Sequence, residues 1–193
     1  MTARRPVMAV IGSGGTLPAE VEAAAAALGA GAMARGFALV TGGLGGVMAA
    51  ASRGARTSPA WSEGRVIGVL PGYDRRAANP WVELVVPTGM QIARNVVVVA
   101  MADVVVGVDG GAGTLSEFAA AWQLGKPLVA LSAHGGWSAR LAGVAIDARG
   151  AGVVVDARTV DEALTHAAAL TAEGRPEPGE IGSGWRRRAE TTG

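Results

Sequence analysis

The segment Gly110-Gly111-Ala112-Gly113-Thr114-Leu115-Ser116-Glu117 joins a glycine-rich turn to a hydroxyl and a carboxylate at fixed offsets. Glycines let a backbone approach a ligand closely. A helix opening at such a turn aims free N–H groups and the positive end of its dipole at the turn, which suits a phosphate. Thr114 adds a hydroxyl donor, and Glu117 follows one turn later, within reach of a ligand held there. Glycine-rich turns also serve simply to pack a helix on its strand; Thr114 and Glu117 at these offsets favour a ligand site. Gly110, Gly111, Ala112, Gly113 and Thr114 are therefore expected to bind phosphate.

Strands and helices must hold that turn in place, and two further turns resemble it. Pro6–Ile11 reads as a strand running into Gly12-Ser13-Gly14-Gly15, and Phe37–Thr41 as a strand running into Gly42-Gly43-Leu44-Gly45-Gly46. Between them a helix fits Pro18 to about Arg35, with proline in its first turn and Gly36 stopping it. Val47–Ala55 is an Ala-rich helix, Val66–Leu70 a third strand and Leu84–Val86 a short fourth. Within Gly89–Met101, Val96–Val99 alone prefers a strand. Gln91, Arg94 and Asn95, however, share one face at helical spacing, and a strand at 103–108 needs a connection before it; the segment is expected to be helical. Asp103–Val108, Leu115–Leu124 and Leu128–Leu131 make a strand–helix–strand unit, and Val153–Val155 with the helix Val160–Leu170 closes the domain.

This alternation predicts an α/β fold: a doubly wound, open parallel sheet of Rossmann-like type, in one domain over residues 1–172. The Gly-, Pro- and charge-rich stretch 173–193, with its Trp185-Arg186-Arg187-Arg188 cluster, is expected to be a disordered tail. In an open parallel sheet ligands lie beyond the carboxyl ends of the strands. Gly12, Ser13, Gly42, Gly43 and Gly45 should therefore surround one cleft together with the third turn. Gly-Ser-Gly-Gly-Thr does not fit the dinucleotide pattern G-x-G-x-x-G, and no Gly-Lys-Ser/Thr of a Walker A loop occurs.

Half of the chain is hydrophobic but only 4% is aromatic, so Val, Ala and Leu must build the core. A net charge of +1 gives no electrostatic case for nucleic acid. The absence of cysteine excludes disulfides, thiolate metal ligands and a Cys nucleophile. His134 and His166 have no metal-site spacing and are read as surface histidines, so no metal is expected. Trp137 reads as a packing residue of its loop, Arg75 as a solvated charge and Asp103 as a cap at its strand. The apolar stretch after Arg4 and Arg5 is too short for a signal peptide, and no run reaches a membrane span. We expect a soluble cytoplasmic protein without membrane partners. The Val-rich segment 96–101 offers more apolar surface than one helix can bury, which points to a homodimer or higher homo-oligomer.

Three segments together, Thr41-Gly42-Gly43-Leu44-Gly45-Gly46-Val47-Met48, Gln91-Ile92-Ala93-Arg94-Asn95 and the Gly110–Glu117 turn, resemble the lonely-guy/lysine-decarboxylase-like superfamily. The last is similar to that superfamily's P-G-G-x-G-T-x-x-E signature. Asn79-Pro80-Trp81, Pro87-Thr88-Gly89 and Gly135-Gly136-Trp137 look more like the branch containing molybdenum cofactor carrier proteins and uncharacterised bacterial relatives. The resemblance implies one of two functions. In a phosphoribohydrolase the turn holds the 5′-phosphate of an AMP-like nucleotide while an Arg and a Glu assist N-glycosidic cleavage, roles that would fall to Arg94 and Glu117. In a carrier the same cleft holds the phosphate of the molybdenum cofactor's pterin without chemistry. A nucleotide sensor is a third possibility. The chain departs from the enzymes' pattern at Asp109, where they have proline, at Asn95, where they have lysine, and at Ser116, where they have an acid. It retains the parts needed for phosphate.

Overall fold

In the computed structural model residues 4–148 and 152–172 are described. They form one seven-stranded, wholly parallel sheet with helices on both faces. The strands are β1 (Val7–Gly12), β2 (Ala38–Thr41), β3 (Val66–Leu70), β4 (Leu84–Pro87), β5 (Val104–Val108), β6 (Leu128–Leu131) and β7 (Val155–Ala157). Their order is β4-β3-β2-β1-β5-β6-β7. The helices are α1 (Ala19–Ala34), α2 (Val47–Thr57), α3 (Arg94–Met101), α4 (Ala112–Gln123), α5 (Gly136–Leu141) and α6 (Val160–Ala172). The expected tail and its arginine cluster lie outside the described residues.

The strands show the period of two that a sheet covered on both faces imposes. Met8, Val10, Val104, Val106 and Val108 face α1, α2 and α6, while Ala9, Ile11 and Val105 face α3, α4 and α5. The chain winds outward from β1 to β4, crosses back through α3, and resumes on the other side of β1 at β5. Chain leaving β1 enters α1 on one face, and chain leaving β5 enters α4 on the other. The sheet therefore has its topological switch point between β1 and β5, where a crevice opens at the carboxyl edge.

The segment preceding β5 is helical despite its four consecutive valines. Arg94, Asn95, Val98 and Val99 are buried on one face, and Val96 is 44% exposed. Helical spacing and the need for a crossover overrode β propensity. Three expectations need correction. α4 begins at Ala112, not Leu115, because its first turn uses the glycine run itself. The last strand is Val155–Ala157, two residues later than read, in register with Val129–Leu131. Gly136–Leu141, read as loop, forms a short helix. Among the described residues no helix is long and apolar enough to cross a membrane.

Candidate functional site

The three glycine turns meet at the switch point around a cleft of about 460 Å³. β1 and β5 end side by side, and at their tips the Ser13 hydroxyl donates to Asp109 Oδ2 at 2.6 Å. Asp109 has φ 54°, a left-handed conformation that Asp tolerates better than most side chains. The turn that follows is gripped from behind by α5. Trp137 N–H donates to Gly110 O at 2.9 Å, and the Ser138 amide and hydroxyl donate to Asp109 O at 3.1 and 2.7 Å. The Trp137 side chain packs from α5 against the core, with Arg140 stacked over its ring.

The second turn is held as firmly. Its Gly43 N–H is taken by Thr41 Oγ1 at 3.1 Å, and Asn79 Nδ2 donates to the carbonyls of Gly43 and Leu44. Val47 N–H, the first amide of α2, donates to Ser13 O at 2.8 Å. Gly46 lies against the first turn so closely that a Cβ would stand 2.1 Å from Ser13 O, and its φ is 59°. The first and second turns therefore pack backbone on backbone.

Gly12, Ser13, Gly42, Arg94, Gly111, Gly113, Thr114 and Glu117 line the cleft together. Gly43, Gly45, Gly110 and Ala112 are not on its lining. A Cβ on Gly43 would meet Leu70, one on Gly45 would meet Gly14 O, and one on Gly110 would meet the folded-over Thr114 side chain. Ala112 is exposed. These four shape the turns rather than the cleft wall. Gly14, Gly15, Thr16, Met48 and Asn95 line it as well. Met48 follows the second turn by helical geometry that the sequence alone leaves open.

At the cleft floor α4 opens with Gly111 as its cap residue. Its first return bond runs from Leu115 N–H to Gly111 O, so the amides of Ala112, Gly113 and Thr114 have no intrahelical acceptor. Above them lie two buried charges, Arg94 from α3 and Glu117 from α4, only 8% and 6% exposed. Arg94 Nη1 and Glu117 Oε1 are 3.6 Å apart, an ion pair longer than a hydrogen bond. Burial lowers the Arg94 pKa from its ordinary value, and Glu117 opposes that shift. Burial pushes the Glu117 carboxyl up to about 7, with Arg94 pulling the other way. The guanidinium rests on Gly42, where a Cβ would come within 2.3 Å of Nη1. Its Nε is buried with no partner among the described residues.

Beside this pair sits a neutral one. Asn95 Nδ2 donates to Ser116 Oγ at 2.9 Å, and Ser116 Oγ donates to Gly113 O at 2.6 Å. The two departures at 95 and 116 are thus in contact and tie the first turns of α3 and α4 together. The departure at Asp109 is met by Ser13, so its carboxylate is occupied at the strand tips, and Asp109 is not on the cleft lining.

His134 and Arg75 are not on the cleft lining. Asp103 accepts from Val7 N–H at 2.8 Å, tying the starts of β1 and β5. Among the described residues no group of three or more His, Asp or Glu stands close enough to hold a metal ion. A larger hollow, about 700 Å³, lies at the opposite, amino edge of the sheet. Its cations are already engaged: Lys126 Nζ donates to Ala100 O and Ala102 O, and Arg4 lies 3.5 Å from Asp103. Of these two hollows, the carboxyl-edge cleft is the one with unspent donors.

With this geometry in hand, the relatives are informative. The profile of the SLOG cluster4 family matches residues 5–164. The X-ray structure of TM1055 superposes with a TM-score of 0.74 at 32% identity, covering 83% of this chain and 96% of that one. The molybdenum cofactor carrier protein of Chlamydomonas reinhardtii gives 0.68 at 30% identity, covering 88% of this chain and 99% of that one. The molybdenum cofactor binding protein of Rippkaea orientalis gives 0.62 at 35%, covering 66% and 77%. An uncharacterised protein of Archaeoglobus fulgidus is 38% identical over 97 residues, which span half of this chain and 61% of the archaeal protein.

Proposed function

The chain belongs to the SLOG cluster4 family, and we infer that it is a binding protein for the molybdenum cofactor, held through the phosphate of its pterin. The observation that carries this reading is Arg94. A guanidinium has five N–H donors; here Nε is buried with no partner among the described residues, and Nη1 makes a 3.6 Å ion pair to Glu117. Buried polar groups left unsatisfied are costly. An anion placed between Arg94 and the open first turn of α4 satisfies both. The likeness to two proteins that carry or bind the molybdenum cofactor supports the pterin as the rest of the ligand. Asn95 and Ser116 support binding without turnover, because neither can serve as acid or base.

One observation favours phosphoribohydrolysis as a second reading. Glu117, at about 7, stands where a carboxyl group can exchange protons near neutral pH. A single experiment separates the two. Ligand released from the purified protein is identified by mass spectrometry, and melting is followed with a pterin monophosphate and with AMP. Under the carrier reading the pterin raises the melting temperature by roughly 5–10 °C at about a hundred times its Kd, and AMP releases no adenine. Adenine release that is lost in Glu117→Gln would establish the hydrolase instead. A Cβ at Gly113 meets nothing within 4 Å and the residue is on the cleft lining, so Gly113→Val is expected to keep the fold while obstructing the cleft. Equal stabilisation of this variant and the wild type would place the ligand elsewhere.

The same reading includes a second copy of the chain. Ile92 is 73% exposed, Met90 46% and Val96 44%, an apolar stripe along and before the helix that carries Arg94. We expect sedimentation at micromolar concentration to give a dimer or a multiple of it; a monomer would refute this.

A further inference from the structure

The cleft wall carries two charged side chains, Arg94 and Glu117, and they satisfy each other poorly. No hydrogen bond reaches the Glu117 carboxylate from any described residue, and the Arg94 contact is 3.6 Å. Ion pairs buried without supporting hydrogen bonds recover little of their desolvation cost. An anion entering the cleft offers Arg94 a better partner and leaves Glu117 facing a like charge.

Among the described residues of the elements packed against α4, no other charge is placed to compensate Glu117. α4 packs against α3, α5, β1, β5 and β6. From α3 comes only Arg94, and the three strands carry no titratable side chain. α5 carries Arg140, exposed and stacked on Trp137. Glu117 is the one titratable group on α4 itself. Asp109, in the turn after β5, accepts the Ser13 hydroxyl.

We propose that the cleft takes up its anion together with a proton: ligand oxygens displace the Glu117 carboxylate from Arg94, and Glu117 accepts a proton from solvent and is neutral in the loaded state. The inference rests on the cleft being an anion site. Up to one proton is bound per ligand, and the proton resides on a Glu117 carboxylate oxygen. The sign follows from linkage. The carboxyl already sits at about 7 in the empty protein, and the ligand raises it further. Affinity is therefore full below pH 7 and falls by up to tenfold per pH unit above it. For a carrier this couples release to loss of a single proton.

Sulfate is a suitable probe, because it does not titrate near neutrality as a phosphomonoester does. The protein labelled at its glutamate carboxyl carbons is titrated by NMR with and without sulfate, and the amides of Gly113 and Thr114 report binding. The Glu117 midpoint should lie near 7 without sulfate and rise by at least one pH unit with it. Sulfate affinity should fall about three- to fivefold between pH 7 and pH 8 in the wild type and stay flat in Glu117→Gln. If that variant does not fold, the wild-type midpoints decide alone. Amide shifts with an unmoved midpoint overturn the proton coupling and leave the anion site standing. Absence of amide shifts at every pH overturns both.

Discussion

Arg94→Ala is expected to weaken phosphomonoester binding about a hundredfold, equivalent to about 2.8 kcal/mol. The donors of Arg94 are unspent. The guanidinium is buried, lies against Gly42 with no room behind it, and makes one loose contact to Glu117. Truncating one partner of a desolvated, hydrogen-bonded charge pair costs about 2–5 kcal/mol. The empty protein should lose less, because Glu117 without its cation becomes neutral near pH 7 and the remaining buried charge disappears. Arg94→Lys keeps the charge but not the planar fork, and should recover only part of the affinity. Calorimetry with a pterin monophosphate reads both variants. Undiminished affinity in Arg94→Ala would remove this side chain from the site.

The second large effect is on stability. Gly46→Ala should destabilise the fold by about 3 kcal/mol or more, lowering the melting temperature by roughly 6–12 °C for a chain of this size. Two penalties act at once. The residue has φ 59°, and the new Cβ would lie 2.1 Å from Ser13 O and 2.8 Å from the Gly14 carbonyl carbon. Those atoms are backbone of the adjoining turn and cannot rotate away. Gly15→Ala is a matched control, since nothing lies within 4 Å of a Cβ there. Similar melting of the two variants would show that the contact between the turns is looser than it stands here.

The parts of the site legible in the sequence were those fixed by local rules. Each strand that ends in glycines announced a turn at the carboxyl edge, and three such turns in a parallel sheet had to converge. Arg94 was reachable because its spacing from Gln91 and Asn95 outweighed the valine run. What the sequence could not give depends on tertiary contact. Nothing local shows that Gly43 and Gly45 turn toward Leu70 and Gly14 and away from the cleft, or that Met48 enters it. Nor does anything local show that the Asp109 carboxylate is bound by Ser13, 96 residues earlier. The start of α4 was misplaced because glycines are poor helix formers. Here the first turn is stabilised from outside, by α5 holding the peptides of Asp109 and Gly110.

The backbone contact between the first and second turns, with the Ser13–Asp109 bond and the α5 grip on the third, makes the cleft walls one mechanical unit. Such a unit limits how the site can diversify. A substitution that reshapes one turn demands a compensating change in a segment distant in sequence, so single steps there lead to loss of the fold before they lead to a new ligand. Positions 94, 95, 116 and 117 are less restrained, since their side chains chiefly meet one another across the first turns of α3 and α4. New specificities can therefore arise by paired exchange at those four positions on an unchanged cradle, and Asn95 with Ser116 has the form of one such exchange.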